Sequence, residues 1–497
     1  MLGLETNPAQ AAAASAQAAD MALLEERIER LKSRVRLAVV FGGNKSAADS
    51  VVYRSHNSRS WKSYEVVAQD IAAALGQLGF RYVDLIPDDM RLGDRLRRQG
   101  IHMAWLNTGG MQGYNSTAHA PAMLEMMGVP YVGHDPLAVT TLDIKHTFKR
   151  AAICAGIPTA PFVIWNMTRG PFRPDLNSRF KRAFGDYSGP FVVKPVSGRA
   201  SLHVHVVPDV AGLPEMIAEV HRATEDVVLI EQFLPGREFC IAVAGPIHAP
   251  GGHLVRGAHP LTFAALERVL TPGELIFTSM DKRPITEDRL KVVDPRRDAK
   301  LLDRMRRLAY ETYLELDLCS LIRLDLRADA NGKLYVLEAN PKPDLKKPAA
   351  GITSLISAGL PEVGMKYDDL ILSLLADRLD FLFTHRRGAI QHLFDLMGTP
   401  NLFDIMSSAE SELLNITPRE STRSSASDEP VALLNEITTD LNVLALNATV
   451  RAAKASEDIA NPDCVGEPSK ARDLDHRDRL TNVVGPKRSA PAKRGAS

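Results

Sequence analysis

Apolar residues recur along this chain with two periods, one near 3.6 residues and one of two, and the alternation between them outlines its elements. Residues 35–43, VRLAVVFGG, form an apolar run that closes on two glycines. That is how a parallel strand enters a loop at the carboxyl edge of a sheet. Val66, Val67, Ile71, Leu75 and Leu78 fall on one face of a predicted helix that Gly79 stops. Strands are predicted at RYVDLIP, near IHMAWLN and at VPYVGH, so residues 35–135 form a small doubly wound α/β domain. Residues 1–34 precede it as a partly disordered leader and a charged helix, with Leu23, Leu24, Ile28 and Leu31 at helical spacing.

The texture changes over residues 136–245. GPFVVKPV, LHVHVVP, VVLIEQFL and EFCIAVAG are four strand-like segments around a helix near LPEMIAEVHRA, which predicts a small α+β lid of mostly antiparallel strands. Residues 246–385 hold a predicted helix at 300–318, two strands, and a closing amphipathic helix at 366–383. The two strands, SLIRLDLRAD and KLYVLEAN, are joined by Asn331-Gly332, the strongest short hairpin signal. Residues 386–497 are a tail in which TPRESTRSSASDEP is a polar linker, one amphipathic helix stands alone, and residues 461–497 are predicted disordered.

Composition narrows the class. Hydrophobic residues are 45% of the 497 and charged residues 24%, as in an ordinary soluble multidomain chain. Lys plus Arg and Asp plus Glu are 60 each, which argues against a dedicated nucleic-acid or anionic-membrane binder. Cys154, Cys240, Cys319 and Cys464 lie far apart with no CxxC pair, which fits a reducing compartment and no thiolate metal site. No apolar run is long enough for a membrane span, and the Ala-rich start lacks a basic flank, so a cytoplasmic protein is expected.

The candidate chemistry gathers at strand ends. Glu338 and Asn340 close an otherwise apolar strand two residues apart, and so share a face, as do Arg323 and Asp325 on the partner strand. Two carboxylates and an amide oxygen are hard donors of the kind Mg²⁺ takes together with substrate phosphates. The plain alternative is a salt bridge between Arg323 and a carboxylate. Lys194 ends the apolar strand PFVVKP, where an ammonium can hold a phosphate as a point charge; Lys145 heads a helix. In VVLIEQFLPGRE, Glu231 and Glu238 flank a strand end, where the backbone of Gln232, Phe233 and Leu234 can read an adenine edge and a carboxylate can hold ribose hydroxyls.

Taken in order, VVKP, LIEQFLPGRE, IRLDLR and YVLEANPKP resemble the ATP-grasp carboxylate–amine ligases. VVFGG, PAMLEMMGVPYVGHDPLAVTTLDIKHTFK and AGIPTAPF resemble the D-alanine–D-alanine ligase branch, and the likeness spans about residues 35–377. It implies an ATP-grasp fold behind the doubly wound domain, and ATP-driven joining of a carboxylate to an amine through an acyl-phosphate. It implies that Lys145 and Lys194 contact ATP phosphates, that Glu231 with Gln232, Phe233 and Leu234 holds adenine, and that Glu238 holds ribose. Asp325, Glu338 and Asn340 would ligate Mg²⁺, for which Mn²⁺ can substitute. Arg323 would stabilise charge on the reacting carboxylate, Lys282 would bind phosphate from a mobile loop, and Ser201 would belong to the phosphate-covering loop. The implied partners are small carboxylates and amines, amino acids among them, with room for a homodimer.

The sequence departs from that family on the substrate side. The first loop lacks the family's Glu-His-x-Val-Ser signature, and Glu65 is the nearest acid to replace it. The phosphate-covering loop reads VSGRASLHVH, with Arg199 and His203 near the usual glycines, and Asp344 stands where a glycine is usual, followed by Lys346 and Lys347. These changes keep a rival open, a non-catalytic nucleotide-binding regulator or signalling scaffold. Residues 436–457, EITTDLNVLALNATVRAAKASE, resemble the signalling-tip helix of methyl-accepting chemotaxis receptors, which implies a helical partner for residues 430–460.

Overall fold

The computed structural model describes residues 8–55, 61–277 and 284–398. The tail helix and Lys282 lie outside these residues. The chain opens with helix α1 (Pro8–Lys32). Leu24, Ile28 and Leu31 are buried as the spacing predicts, but Leu23 is exposed and Met21 takes its place in the core. Strand β1 (Arg36–Phe41) follows, then α2 (Glu65–Gln77), β2 (Tyr82–Pro87), α3 (Leu92–Arg98), β3 (Met103–Asn107), α4 (His119–Met127) and β4 (Tyr131–Val132). The strands form a parallel sheet of order β2-β1-β3-β4. Such a sheet needs helices on its faces, and the segments between its strands supply them. On α2, Val67, Ile71 and Leu75 are buried while Val66 faces solvent, so the apolar stripe is narrower than predicted. Gly79 ends this segment at φ 100°, where a side chain would be strained.

Helices α5 (Pro136–Asp143) and α6 (Lys145–Cys154) lead into a second layer. It holds β5 (Phe162–Trp165), α7 (Ser178–Phe184), β6 (Phe191–Pro195), β7 (His205–Val207), α8 (Leu213–Thr224) and β8 (Val228–Gln232). The sheet is antiparallel with order β5-β8-β6-β7. Its core is aromatic: Phe180 lies 5.7 Å from Phe191 and from Phe172, and Phe184 meets Phe191 edge-on at 5.2 Å. Such pairs add about 0.5–1.5 kcal/mol each beyond the area they bury.

Strand β9 (Glu238–Ala244) corrects one expectation. EFCIAVAG does not belong to the lid, whose fourth strand is β5 instead. β9 is central to a third sheet. The short strands β10 (Ile247–His248) and β11 (Val255–Arg256) pair with each other, and β12 (Leu261–Thr262) pairs with β9. β13 (Leu266–Arg268), β14 (Leu290–Val292), β15 (Ile322–Ala328) and β16 (Leu334–Asn340) complete the order β14-β13-β9-β15-β16. All seven residues of β9 are buried, which is why it reads as an unbroken apolar run. Helix α9 (Ala299–Glu315) covers one face through Leu302, Met305 and Ala309, and α10 (Tyr367–His385) and α11 (Gln391–Met397) close the described chain. Among the described residues no helix is long and apolar enough to cross a membrane.

The β15–β16 hairpin forms as predicted, with Gly332 in its turn at φ 78°. Strict alternation would put Glu338 on the same face as Leu334 and Val336, in the core. A β-bulge prevents this: Leu326 pairs with Val336 but Asp325 pairs with Glu338, so Leu337 is the extra residue. Beyond it the faces invert, and Ala339 enters the core while Glu338 and Asn340 stay half-exposed.

Helix α10 carries an acid inside the fold. Asp377 Oδ1 accepts from the Ile247 amide at 3.2 Å, and burial pushes its pKa up from 3.8 to about 7. Between those values the folded chain holds this proton more firmly than the unfolded chain, so the group costs stability as pH rises to about 7. Asp377→Asn is expected to flatten the loss of Tm over that range and to stabilise the protein by on the order of 2 kcal/mol at about pH 8. Parallel Tm–pH curves for the two proteins check this.

Candidate functional site

The third sheet and the lid face each other across one cavity. Its walls include Lys145, Lys194, Ser201, Glu231, Gln232, Phe233, Leu234, Glu238, Arg323, Asp325, Glu338 and Asn340. The structure thus brings together the nucleotide-side and metal-side residues expected from sequence that lie among the described residues. The same wall holds Tyr64, Arg199, Arg268, Arg327, Lys342 and Asp344.

The lid side is built on a buried triad. Glu231 on β8 pairs with Lys194 on β6 at 2.5 Å and with Lys149 on α6 at 2.9 Å. Burial alone would raise the Glu231 pKa, but the two ammonium groups bring it down to about 2. Burial pushes Lys149 down despite Glu231, whereas Lys194 ends above its usual value through Glu231 and Glu338. Lys149 also donates to Thr159 Oγ1 at 2.5 Å, and Thr159 donates to the Val336 carbonyl beside the bulge at 2.8 Å. The Glu231 carboxylate is thus the counter-ion of two lysines while it lines the cavity beside Gln232, Phe233 and Leu234. The neighbouring backbone is partly used as well, since the Gln232 amide donates to Pro161 and the Phe233 amide to Pro190.

Lys145, at the first turn of α6, is buried. Its amide donates to the Val196 carbonyl at 2.9 Å, and its ammonium lies 3.4 Å from Gly198 O and 3.4 Å from Glu338 Oε2. Ser201 donates to the Phe277 carbonyl at 3.0 Å, which ties the covering loop to the far wall.

The sheet side is a chain of charges. Arg323 grips Asp325 through Nε at 2.8 Å and Nη2 at 3.0 Å, along one strand. A salt bridge of Arg323 therefore forms, though within β15 and not across the hairpin. Arg268 on β13 reaches Asp325 Oδ1 at 2.7 Å and Glu238 Oε1 at 2.9 Å, and Arg327 reaches Glu238 Oε2 at 3.2 Å. Burial would raise the Asp325 pKa; the two guanidinium groups instead hold it well below the usual carboxylate range. The Arg327 guanidinium sits 4.8 Å from the Phe233 ring centroid, on the side predicted for adenine.

The donor set suits a hard divalent cation. Glu338, 27% exposed, pairs at 3.4 Å with the Lys145 ammonium. Asn340 spends its Nδ2 on the Arg323 carbonyl at 3.4 Å, which leaves its amide oxygen as the donor toward the cavity. Among the described residues no three His, Cys, Asp or Glu side chains cluster to hold a metal. Two carboxylates and one amide are a set that needs substrate oxygens to complete it.

Two substrate-side expectations change. Glu65 is exposed in the first turn of α2, where the helix dipole favours it, and the cavity is lined by Tyr64 instead. Lys342, 3.4 Å from the Tyr64 ring centroid, is the lysine of the 341–347 segment that reaches the cavity; Lys346 and Lys347 are not among its lining residues. Sequence reasoning missed Lys149, Arg268 and Arg327. Lys149 was within reach, since it lies one helical turn after Lys145 in KHTFK. Arg327 follows Arg323 and Asp325 at period two. Arg268 had no local signal, because its partners come from two other strands.

Comparison with known proteins agrees with this geometry. Residues 153–376 match the family model described as D-ala D-ala ligase C-terminus. The chain is 29% identical over 253 residues to the uncharacterized protein y4sG of Sinorhizobium fredii, covering 50% of this chain and 68% of that one. It is 24% identical over 285 residues to a D-alanine–D-alanine ligase of Pelotomaculum thermopropionicum, covering 57% and 81%. Among solved structures, a D-alanine–D-alanine ligase from Bacillus anthracis superposes with a TM-score of 0.50 at 19% identity, covering 69% of this chain and 97% of the other. The chain has the ATP-grasp fold, and its residues 153–376 are similar to the C-terminal region of D-alanine–D-alanine ligases.

Proposed function

We propose that this protein is an ATP- and Mg²⁺-dependent ligase that joins a carboxylate to an amine. Its main support is the cavity whose walls bring Lys145 and Lys194 together with Asp325, Glu338, Asn340 and the loop from Ser197 to Leu202. Lys145 and Lys194 hold the triphosphate as fixed charges. Arg327, Phe233 and the backbone at Gln232–Leu234 frame the adenine, with Glu238 at the ribose. Asp325, Glu338 and Asn340 would hold a divalent cation, which would supply charge neutralisation at the transferring phosphoryl group.

The reaction follows from charge. The substrate carboxylate attacks the γ-phosphorus and ADP leaves. The amine then attacks the acyl carbon, phosphate leaves, and the amine gives up a proton. Arg323 faces the negative charge that builds on the acyl oxygen, in a site where water is kept from the acyl-phosphate. Lys282 would add a phosphate contact from its loop. The substrates are amino acids or small carboxylates. Asp344 and Lys342 give the acceptor side a polarity of its own, so D-alanine is one member of the panel to be tried.

Phosphate release from ATP is expected only when a matched carboxylate and amine are both present, measured over D- and L-amino acids and small carboxylates. ATP binding without turnover across that panel contradicts a ligase and favours a nucleotide-binding regulator or scaffold.

A further inference from the structure

Arg268 is a buried cation that the ligase reaction does not call for. Its side chain is 7% exposed and sits opposite Glu238 in the β9–β13 register. One guanidinium bridges the carboxylate assigned to the ribose and a carboxylate assigned to the metal. With Arg323 it occupies Asp325 fully: Oδ1 meets Arg268 Nη2 at 2.7 Å and Arg323 Nε at 2.8 Å, and Oδ2 meets Arg323 Nη2 at 3.0 Å. Lys145 stands 3.4 Å from Glu338. The corner meant for a divalent cation thus sets Arg268, Arg323 and Lys145 against Asp325 and Glu338, while Glu238 is shared between Arg268 and Arg327. A metal ion arriving alone meets like charge and an occupied ligand.

A triphosphate changes that balance. Its oxygens are better partners for a guanidinium than a carboxylate that already has a second arginine. We propose that Arg268 is a cationic placeholder that withholds Asp325 from divalent metal until the nucleotide is bound. On nucleotide binding, the Arg268 contact moves from Asp325 to a phosphate oxygen, and Asp325 becomes free to ligate. Removal of Arg268 leaves Asp325 held by Arg323 and Glu238 held by Arg327, so neither carboxylate is orphaned.

This proposal rests on the ATP-site assignment, and its test does not need turnover. Mn²⁺ binding to the full chain without nucleotide is followed by the loss of the free-ion paramagnetic signal. The native protein is expected to bind Mn²⁺ at least about tenfold more weakly than Arg268→Gln. Arg268→Lys, which keeps the charge but loses the two-pronged bridge, is expected to fall between them. With a non-hydrolysable ATP analogue bound to both, the native protein and Arg268→Gln are expected to bind Mn²⁺ equally. Equal nucleotide-free affinities for the native protein and either variant overturn the placeholder. Absence of analogue binding with the variant difference intact overturns the ATP assignment alone.

Discussion

Glu338→Gln is expected to lower substrate-dependent phosphate release by at least about 10²-fold while leaving the protein folded. The size follows from what the carboxylate faces. Glu338 is half-buried in the wall of the cavity, and it pairs with Lys145 at 3.4 Å. Little of the fold depends on that contact, whereas loss of one charged oxygen from the metal corner weakens neutralisation of the transferring phosphoryl group. Asp325 differs. Its replacement leaves Arg268 and Arg323 buried without their shared counter-ion, so lost activity there would mix with lost stability. An unchanged rate in Glu338→Gln, with an unchanged Tm, would remove the metal assignment.

Glu231→Gln is expected to destabilise the lid by about 3–5 kcal/mol, read as a shift of its urea midpoint. The carboxylate is buried between Lys149 and Lys194, at 2.9 and 2.5 Å, and its loss leaves two buried ammonium groups without their shared counter-ion. Replacement of all three by Met, Leu and Met should restore most of that stability, since apolar groups of similar volume need no counter-charge. The same triple variant should not bind ATP, because Lys194 is gone. A pH signature accompanies the triad. Its folded pKa of about 2 lies below the ordinary 4.5, so the stabilisation is complete above the higher value and fades as pH falls toward the lower. In Glu231→Gln that acid limb should be absent.

How much of this was legible in the sequence depends on the range of the interaction. The β15–β16 hairpin was, because Asn331-Gly332 and the flanking alternation are local. So was the nature of the site, since Lys194, Glu231 and Glu338 lie near the ends of apolar strands and Asp325 shares a strand face with Arg323 in the other arm of the hairpin. The bulge at Leu337 was not: alternation places Glu338 with Val336, and only the pairing with β15 inverts the faces. β9 was assigned to the lid because a fully buried strand looks alike in any sheet, and its partners β13 and β15 lie far along the chain. Arg268 was invisible for the same reason. The triad around Glu231 was not legible either, since a carboxylate at a strand end gives no hint that two lysines from separate elements close on it.

The central claim is transfer of the γ-phosphoryl group to a carboxylate, and the fate of that carboxylate's oxygen tests it most directly. With the amino acid or carboxylate that supports turnover labelled with ¹⁸O in its carboxyl group, one labelled oxygen should appear in the phosphate released together with ADP. Phosphate that carries only oxygen from ATP and solvent, or release of AMP and pyrophosphate, would contradict the account.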